Sequence, residues 1–139
     1  MARFVSLKAS GNGPTARCTV SLMASPSDDD AFQRFCTELC RRYHAGRYRQ
    51  WVYDVSAADL TSCIQYVWQF RTCVLIPHRE DIVDNVQGTA IIVNSSGVRS
   101  IINALMQLFR SGAPRKVFSQ EDVTKNPGII DQWFRSLPL

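Results

Sequence analysis

The clearest pattern of apolar and polar positions lies in residues 89–112. Four consecutive apolar residues at 90–93 predict a strand that is buried on both faces. A polar turn follows at 94–97, and a helix is predicted after it because apolar residues recur at helical spacing: Val98, Ile101, Ile102, Leu105, Leu108 and Phe109. Ser111 and Gly112 predict the end of this helix. The segment is therefore typical of one half of a βαβ unit.

The first part of the chain predicts a β-hairpin. Residues 4–7 and 18–22 are β-prone and flank the turn sequence Gly-Asn-Gly-Pro at 11–14. The same region has no acidic residue before Asp28, and its Arg, Ser, Thr and Ala content is also typical of an organelle transit peptide. We favour the retained hairpin over the targeting segment.

The remaining elements complete an α/β pattern. The first is a helix capped by Ser27, with an apolar face from Phe32 to Tyr43, and a strand follows at 51–55. The next helix has a capping box at 56–59 and carries Leu60, Cys63, Ile64, Val67 and Phe70, and a further helical turn follows Pro77 at 78–84. Towards the end of the chain, a strand at 115–119 precedes a final helix that starts at Asn126 with Pro127 in its first position. The order is ββαβαβαβα. Right-handed crossovers make the later strands parallel. We predict a single α/β domain over residues 1–139, with a mixed, mostly parallel sheet, an N-terminal hairpin at its edge and covering helices.

Two short motifs carry a resemblance to known families. Pro77-His78-Arg79-Glu80-Asp81-Ile82, followed by the strand and Asn94-Ser95, is similar to a pattern of CRAL-TRIO (Sec14-type) domains. Asn94-Ser95-Ser96-Gly97-Val98 resembles the Asp-Ser-Ser-Gly-Leu signature of STAS domains. With the element order, these motifs make residues 50–135 resemble the SpoIIAA-like fold that both families share. The resemblance implies the fold, and we do not extend it to serine phosphorylation or lipid transfer, because the signature follows a later strand and the chain is too short for a lipid cavity.

Polar residues gather where the predicted parallel strands end. Ligands and partners of open α/β sheets bind at this edge, and the residues predicted there are Asp54, Ser56, Asn94, Ser95, Ser96, Gly97, Arg99, Ser119 and Gln120. One interpretation is that Asn94 or Ser95 caps the helix while Arg99 lies in solvent. The alternative is that this turn is a phospho-switch or binds a small anion such as a phosphate, nucleotide or lipid headgroup, since Arg99 otherwise opposes the helix dipole. We favour the cap and keep the alternative open.

A second candidate surface is rich in arginine. Arg41, Arg42, Arg47 and Arg49 alternate with Tyr43, His44 and Tyr48. Such a turn can bind RNA, phosphates or an acidic protein surface, or its cations can simply complete a helix end. Both interpretations stay open, because the net charge of +4 is not by itself typical of a nucleic-acid-binding protein.

The cysteines predict packing and not metal binding. Cys36, Cys40 and His44 share one helical face and have a spacing that could hold a metal, but they continue an aromatic stripe, so we interpret them as core. The five cysteines are odd in number and lack CxxC spacing, which favours a reducing compartment. The cytosol is the default prediction, with a mitochondrial or plastid matrix as the alternative.

No catalytic motif stands out. The chain has neither a P-loop nor GxGxxG, and His44 and His78 lack a nucleophile-elbow neighbour. We therefore predict a non-enzymatic protein-interaction module, or an accessory subunit of a larger assembly, without cofactor or metal. Partners are expected to be proteins, with anion binding at residues 94–99 and RNA binding at residues 41–49 as alternatives. No run of 18 apolar residues exists, so no membrane span is predicted, and peripheral lipid contact stays open.

Overall fold

The computed structural model describes residues 5–23, 29–57, 59–108 and 113–138. Within these ranges the strands form one five-stranded sheet in sequence order: β1 (Val5–Ser10), β2 (Arg17–Leu22), β3 (Gln50–Asp54), β4 (Gly88–Val93) and β5 (Arg115–Ser119). β1 is antiparallel to β2, and every later neighbour is parallel. The predicted α/β class, hairpin and mostly parallel sheet are confirmed.

Six α-helices connect and cover the strands in the described part of the chain. They are α1 (Asp29–Ala45), α2 (Leu60–Phe70), α3 (Arg79–Asn85), α4 (Ser96–Leu108), α5 (Gln120–Lys125) and α6 (Ile129–Ser136). A π-helical stretch, Arg71–Leu75, extends α2. α1 ends at Ala45 and is followed by Gly46, whose φ of +68° is a conformation that favours glycine. Because the strands are sequential and their crossovers share one hand, α1 and α4 pack on the same face.

Alternate residues of the strands form two separate layers of core. On the α1 face, Trp51 is 1% exposed and stacks on Tyr43 with ring centroids 4.0 Å apart. Val52 points to the other face, where it packs in one cluster with Ile130 and Phe134 of α6. This alternation shows that β3 is a central strand with both faces buried.

The C-terminal region differs from the prediction. One helix was expected from Asn126, but α5 precedes it and α6 begins only at Ile129, after Gly128. The prediction was wrong because Ser119 is a helix cap: its Oγ accepts a hydrogen bond from the Asp122 backbone N–H at 3.1 Å. Acidic residues in the first turn of α5 strengthen this start signal.

The other predicted boundaries hold in part. α2 begins at Leu60, and the Ser56 hydroxyl donates to Asp54 Oδ1 at 2.6 Å instead of capping the helix. The predicted cap at Ser27 and the predicted helix end at residues 111–112 lie outside the described residues. So do Phe109 and the side chains of Cys63 and Leu108.

A buried polar chain lies at the amino-terminal edge of the parallel strands. Arg17 donates to Gln50 Oε1 through Nε at 3.1 Å and Nη2 at 2.9 Å. Gln50 Nε2 points to Gln87 Oε1 at 3.4 Å, and Gln87 Nε2 to the Phe134 carbonyl at 3.4 Å. Arg17 also forms an ion pair with Asp131 at 2.6 Å. These contacts connect β2 and β3 to α6.

Candidate functional site

The parallel register places the predicted polar edge as expected. Asp54, at the end of β3, pairs with Ile92, and Val93 pairs with Ser119 at the end of β5. Asn94 follows Val93 directly. The ends of β3, β4 and β5 therefore bring Asp54, Asn94 and Ser119 to one edge of the sheet.

Local hydrogen bonds occupy most hydroxyl groups at this edge. Ser95 Oγ accepts from the Val98 backbone N–H at 3.1 Å, so Ser95 caps α4, as the favoured interpretation predicted. Ser119 caps α5, and Asp54 Oδ1 accepts from the Ser56 backbone at 3.0 Å. Asn94 and Ser96 are exposed.

Arg99 is the cation of this edge, and its side chain takes no part in the capping hydrogen bonds. It is half-buried in the first turn of α4, and its guanidinium makes no ion pair within the described ranges. Gly97 instead contacts α2, because a Cβ built on it would lie 3.3 Å from Leu60 Cδ1. Anion binding at this turn depends on Arg99 and stays a prediction.

The structure divides the arginine-rich turn into two halves. Glu38 accepts from Arg41 Nη2 at 2.6 Å and from Arg42 Nε at 2.9 Å. Hydrogen bonds from these two guanidinium groups lower the pKa of the Glu38 carboxyl to about 2. Arg47 is exposed and Arg49 half-buried, with no acidic partner for either among the described side chains. RNA binding stays a prediction, and these last two residues would carry it.

α2 has an exposed apolar surface that the sequence analysis did not predict. Leu60 and Ile64 were expected on a buried face, yet they are 45% and 55% exposed, and Trp68 is 51% exposed. We call Leu60, Ile64 and Trp68 the α2 ridge. Their four-residue spacing aligns them along one side of the helix. Trp68 could have indicated this surface in the sequence, because it continues the spacing of Leu60 and Ile64 and does not belong to the predicted apolar face.

Aromatic contacts hold the opposite side of α2 in place. Tyr66 stacks on Phe32 at 4.5 Å between centroids, and Phe70 stacks on Phe35 at 6.4 Å. No charged residue occurs between Leu60 and Phe70. The α2 ridge is therefore an uncharged apolar surface on an anchored helix.

Three potential metal ligands also converge, which the sequence interpretation missed. His78 Nδ1 lies 2.9 Å from Asp81 Oδ2, and His44 Nδ1 lies 3.7 Å from the same oxygen. The spacing of Cys36, Cys40 and His44 suggested a different metal site, but the structure does not bring these residues together. Cys36 lies in the core, where burial raises the pKa of its thiol to about 12, whereas the His44 side chain is 82% exposed. Contacts between residues more than 30 positions apart gave no periodic signal that could have revealed this cluster.

Two general findings complete the description. Among the helices of the described ranges, none combines the length and the apolar content that crossing a bilayer requires. No family model and no curated protein matches this chain. The resemblance to the SpoIIAA-like fold therefore stays a prediction.

Proposed function

We propose that this protein is a non-enzymatic interaction module that assembles through the α2 ridge, with a second copy of the chain as the partner. The observation that carries the proposal is the exposure of three large apolar side chains on one uncharged helix face. Clustered apolar residues of this kind mark interaction sites more often than isolated ones do.

The spacing of the ridge supports a two-fold symmetric contact. Four residues advance about 6 Å along a helix, so Leu60 and Trp68 lie at similar distances on either side of Ile64. An axis through Ile64 places Leu60 of one copy opposite Trp68 of the other, which makes the surface complementary to itself.

Charge favours the same partner. Each copy carries a net charge of +4, but α2 contributes none of it. Two ridges can therefore meet without placing like charges against each other or desolvating an unpaired charge. A partner with charged groups at its centre would lose their hydration and gain no counterion here.

The exposed apolar area sets the expected strength. Full burial of one such side chain contributes about 1.5–3 kcal/mol, so half of that for each of six side chains gives roughly 6 kcal/mol for a dimer. Association costs at least about 4 kcal/mol. The difference is about 2 kcal/mol, and about 5 kcal/mol at the upper end of the burial range. The ridge alone therefore supports a weak dimer, with a Kd no tighter than about 0.2 mM.

Sedimentation equilibrium over a concentration series tests the proposal. The wild-type protein should shift from monomer to dimer, whereas Ile64→Glu should remain monomeric because it places two carboxylates at the axis. Gln69→Glu adds the same charge to an exposed position of α2 away from the ridge and should dimerise like the wild type. Circular dichroism verifies that both variants are folded. A wild-type protein whose average mass does not rise above that of the monomer at concentrations up to roughly 1 mM would contradict the proposal.

A further inference from the structure

The His44, His78 and Asp81 side chains come together from two separate helical regions. His44 belongs to the last turn of α1, whereas His78 directly precedes α3 and Asp81 lies in its first turn. One potential ligand atom of each residue lies within 4.8 Å of the other two. The cluster lies on other elements than the α2 ridge and does not depend on it.

We propose that these three residues bind a divalent transition-metal ion, with Zn²⁺ as the ion that they fit best. Two imidazole nitrogens and one carboxylate oxygen form a ligand set that proteins use for zinc, and three protein ligands leave a fourth position open. Histidine-free oxygen sites, in contrast, are the preference of Ca²⁺ and Mg²⁺.

The distances fit tetrahedral coordination after a small adjustment. Zinc–nitrogen and zinc–oxygen bonds of about 2.0–2.1 Å place neighbouring ligand atoms roughly 3.3 Å apart. The two contacts to Asp81 Oδ2, at 2.9 Å and 3.7 Å, lie on either side of this value. The remaining movement falls on His44, whose side chain is 82% exposed, so that its ring can reorient without displacing core residues.

A local hydrogen bond explains only half of the cluster. His78 and Asp81 are three residues apart at the start of α3, where such contacts are common. His44 comes from 34 positions before His78 and yet has its Nδ1 near the same Asp81 oxygen. A metal ion would accept lone pairs from both rings and from the carboxylate, and it would connect the end of α1 to the start of α3.

Calorimetric titration with ZnCl₂ under reducing conditions tests the site. Loss of a residue that only supports a ligand typically weakens binding 10–100-fold, so removal of a ligand itself should weaken it by at least about 100-fold. We expect this loss for His44→Ala, which removes an exposed side chain, and for Asp81→Asn, which keeps the size of the residue. Asp84→Ala removes an exposed carboxylate of α3 outside the cluster and should bind like the wild type.

Cobalt substitution distinguishes this site from the cysteines. Bound Co²⁺ should show visible absorption without the strong near-ultraviolet absorption of thiolate ligands, and this absorption should vanish in His44→Ala. Equal zinc affinities of wild type and His44→Ala, or a thiolate signature that persists in the variant, would overturn the proposal. So would the absence of zinc binding by the folded wild-type protein.

Discussion

Replacing Gln50 by leucine should destabilise the protein by removing the middle of the polar chain under α6. Gln50 is 7% exposed and accepts two hydrogen bonds from Arg17. Hydrogen bonds to a charged group contribute about 1.5–3 kcal/mol, and leaving Gln87 Oε1 without its donor costs about 1 kcal/mol more. Burying a leucine offsets about 1 kcal/mol of this. We expect a net loss of about 2 kcal/mol.

Urea unfolding at low protein concentration, followed by tryptophan fluorescence, measures this loss. Trp51 is buried in β3 beside Gln50 and reports on the same region. Dilution keeps self-association from contributing to the stability. The control is Gln132→Leu, the same substitution at an exposed position of α6, which should change the free energy of unfolding by no more than about 0.5 kcal/mol.

A double-mutant cycle isolates the contact between Arg17 and Gln50. Arg17→Met keeps the aliphatic part of the side chain but removes the guanidinium group, which supplies the donors and lies over the Phe134 ring. The double variant should lose at least about 0.5 kcal/mol less than the sum of the two single variants, because the second substitution no longer breaks a hydrogen bond. Additive losses, or a Gln50→Leu effect as small as that of Gln132→Leu, would refute the reasoning.

Two further substitutions test local features of α1. Glu38→Gln should lower the free energy of unfolding by about 1 kcal/mol at neutral pH, a value kept small by the partial exposure of the ion pairs. Because the pKa of Glu38 is lowered from 4.5 to about 2 in the folded protein, this difference from the wild type should disappear as the pH falls through that range. A difference in urea unfolding that does not depend on pH would contradict this prediction. Gly46→Ala should cost about 1 kcal/mol because φ is positive there, and more where the new Cβ meets the Asn85 side chain. Gly128→Ala, at a negative φ where a new Cβ would lie 3.7 Å from Asn126 Oδ1, should cost less in the same urea unfolding assay.

The sequence predicted the sheet well because its strands carry strong local signals. β5 has the predicted bounds, and β4 extends the predicted apolar run by two residues at its start. Such runs are read within a window of a few residues. The end of the chain was predicted less well, because Ser119 was interpreted only as the end of a strand, whereas its side chain also caps α5. α6 begins at Ile129 and not at Asn126.

The candidate surfaces could be predicted only where they depend on local order. The edge with Asp54, Asn94 and Ser119 followed from the rule that parallel strands end together. The exposure of Ile64 did not, because apolar spacing indicates a helical face but not whether a neighbour covers it. The meeting of His44 with Asp81 depends on how α1 and α3 pack, which no local pattern encodes.

The sequential strand order has a consequence for how the chain folds during synthesis. Each strand pairs with the one made immediately before it, so every new βα unit can add to an existing edge without waiting for a distant segment. The contacts of α6 are the exception, since Asp131 reaches back to Arg17 across 114 positions. We therefore expect the nascent sheet to grow strand by strand as the chain leaves the ribosome, with its second face uncovered until α6 emerges and packs on it.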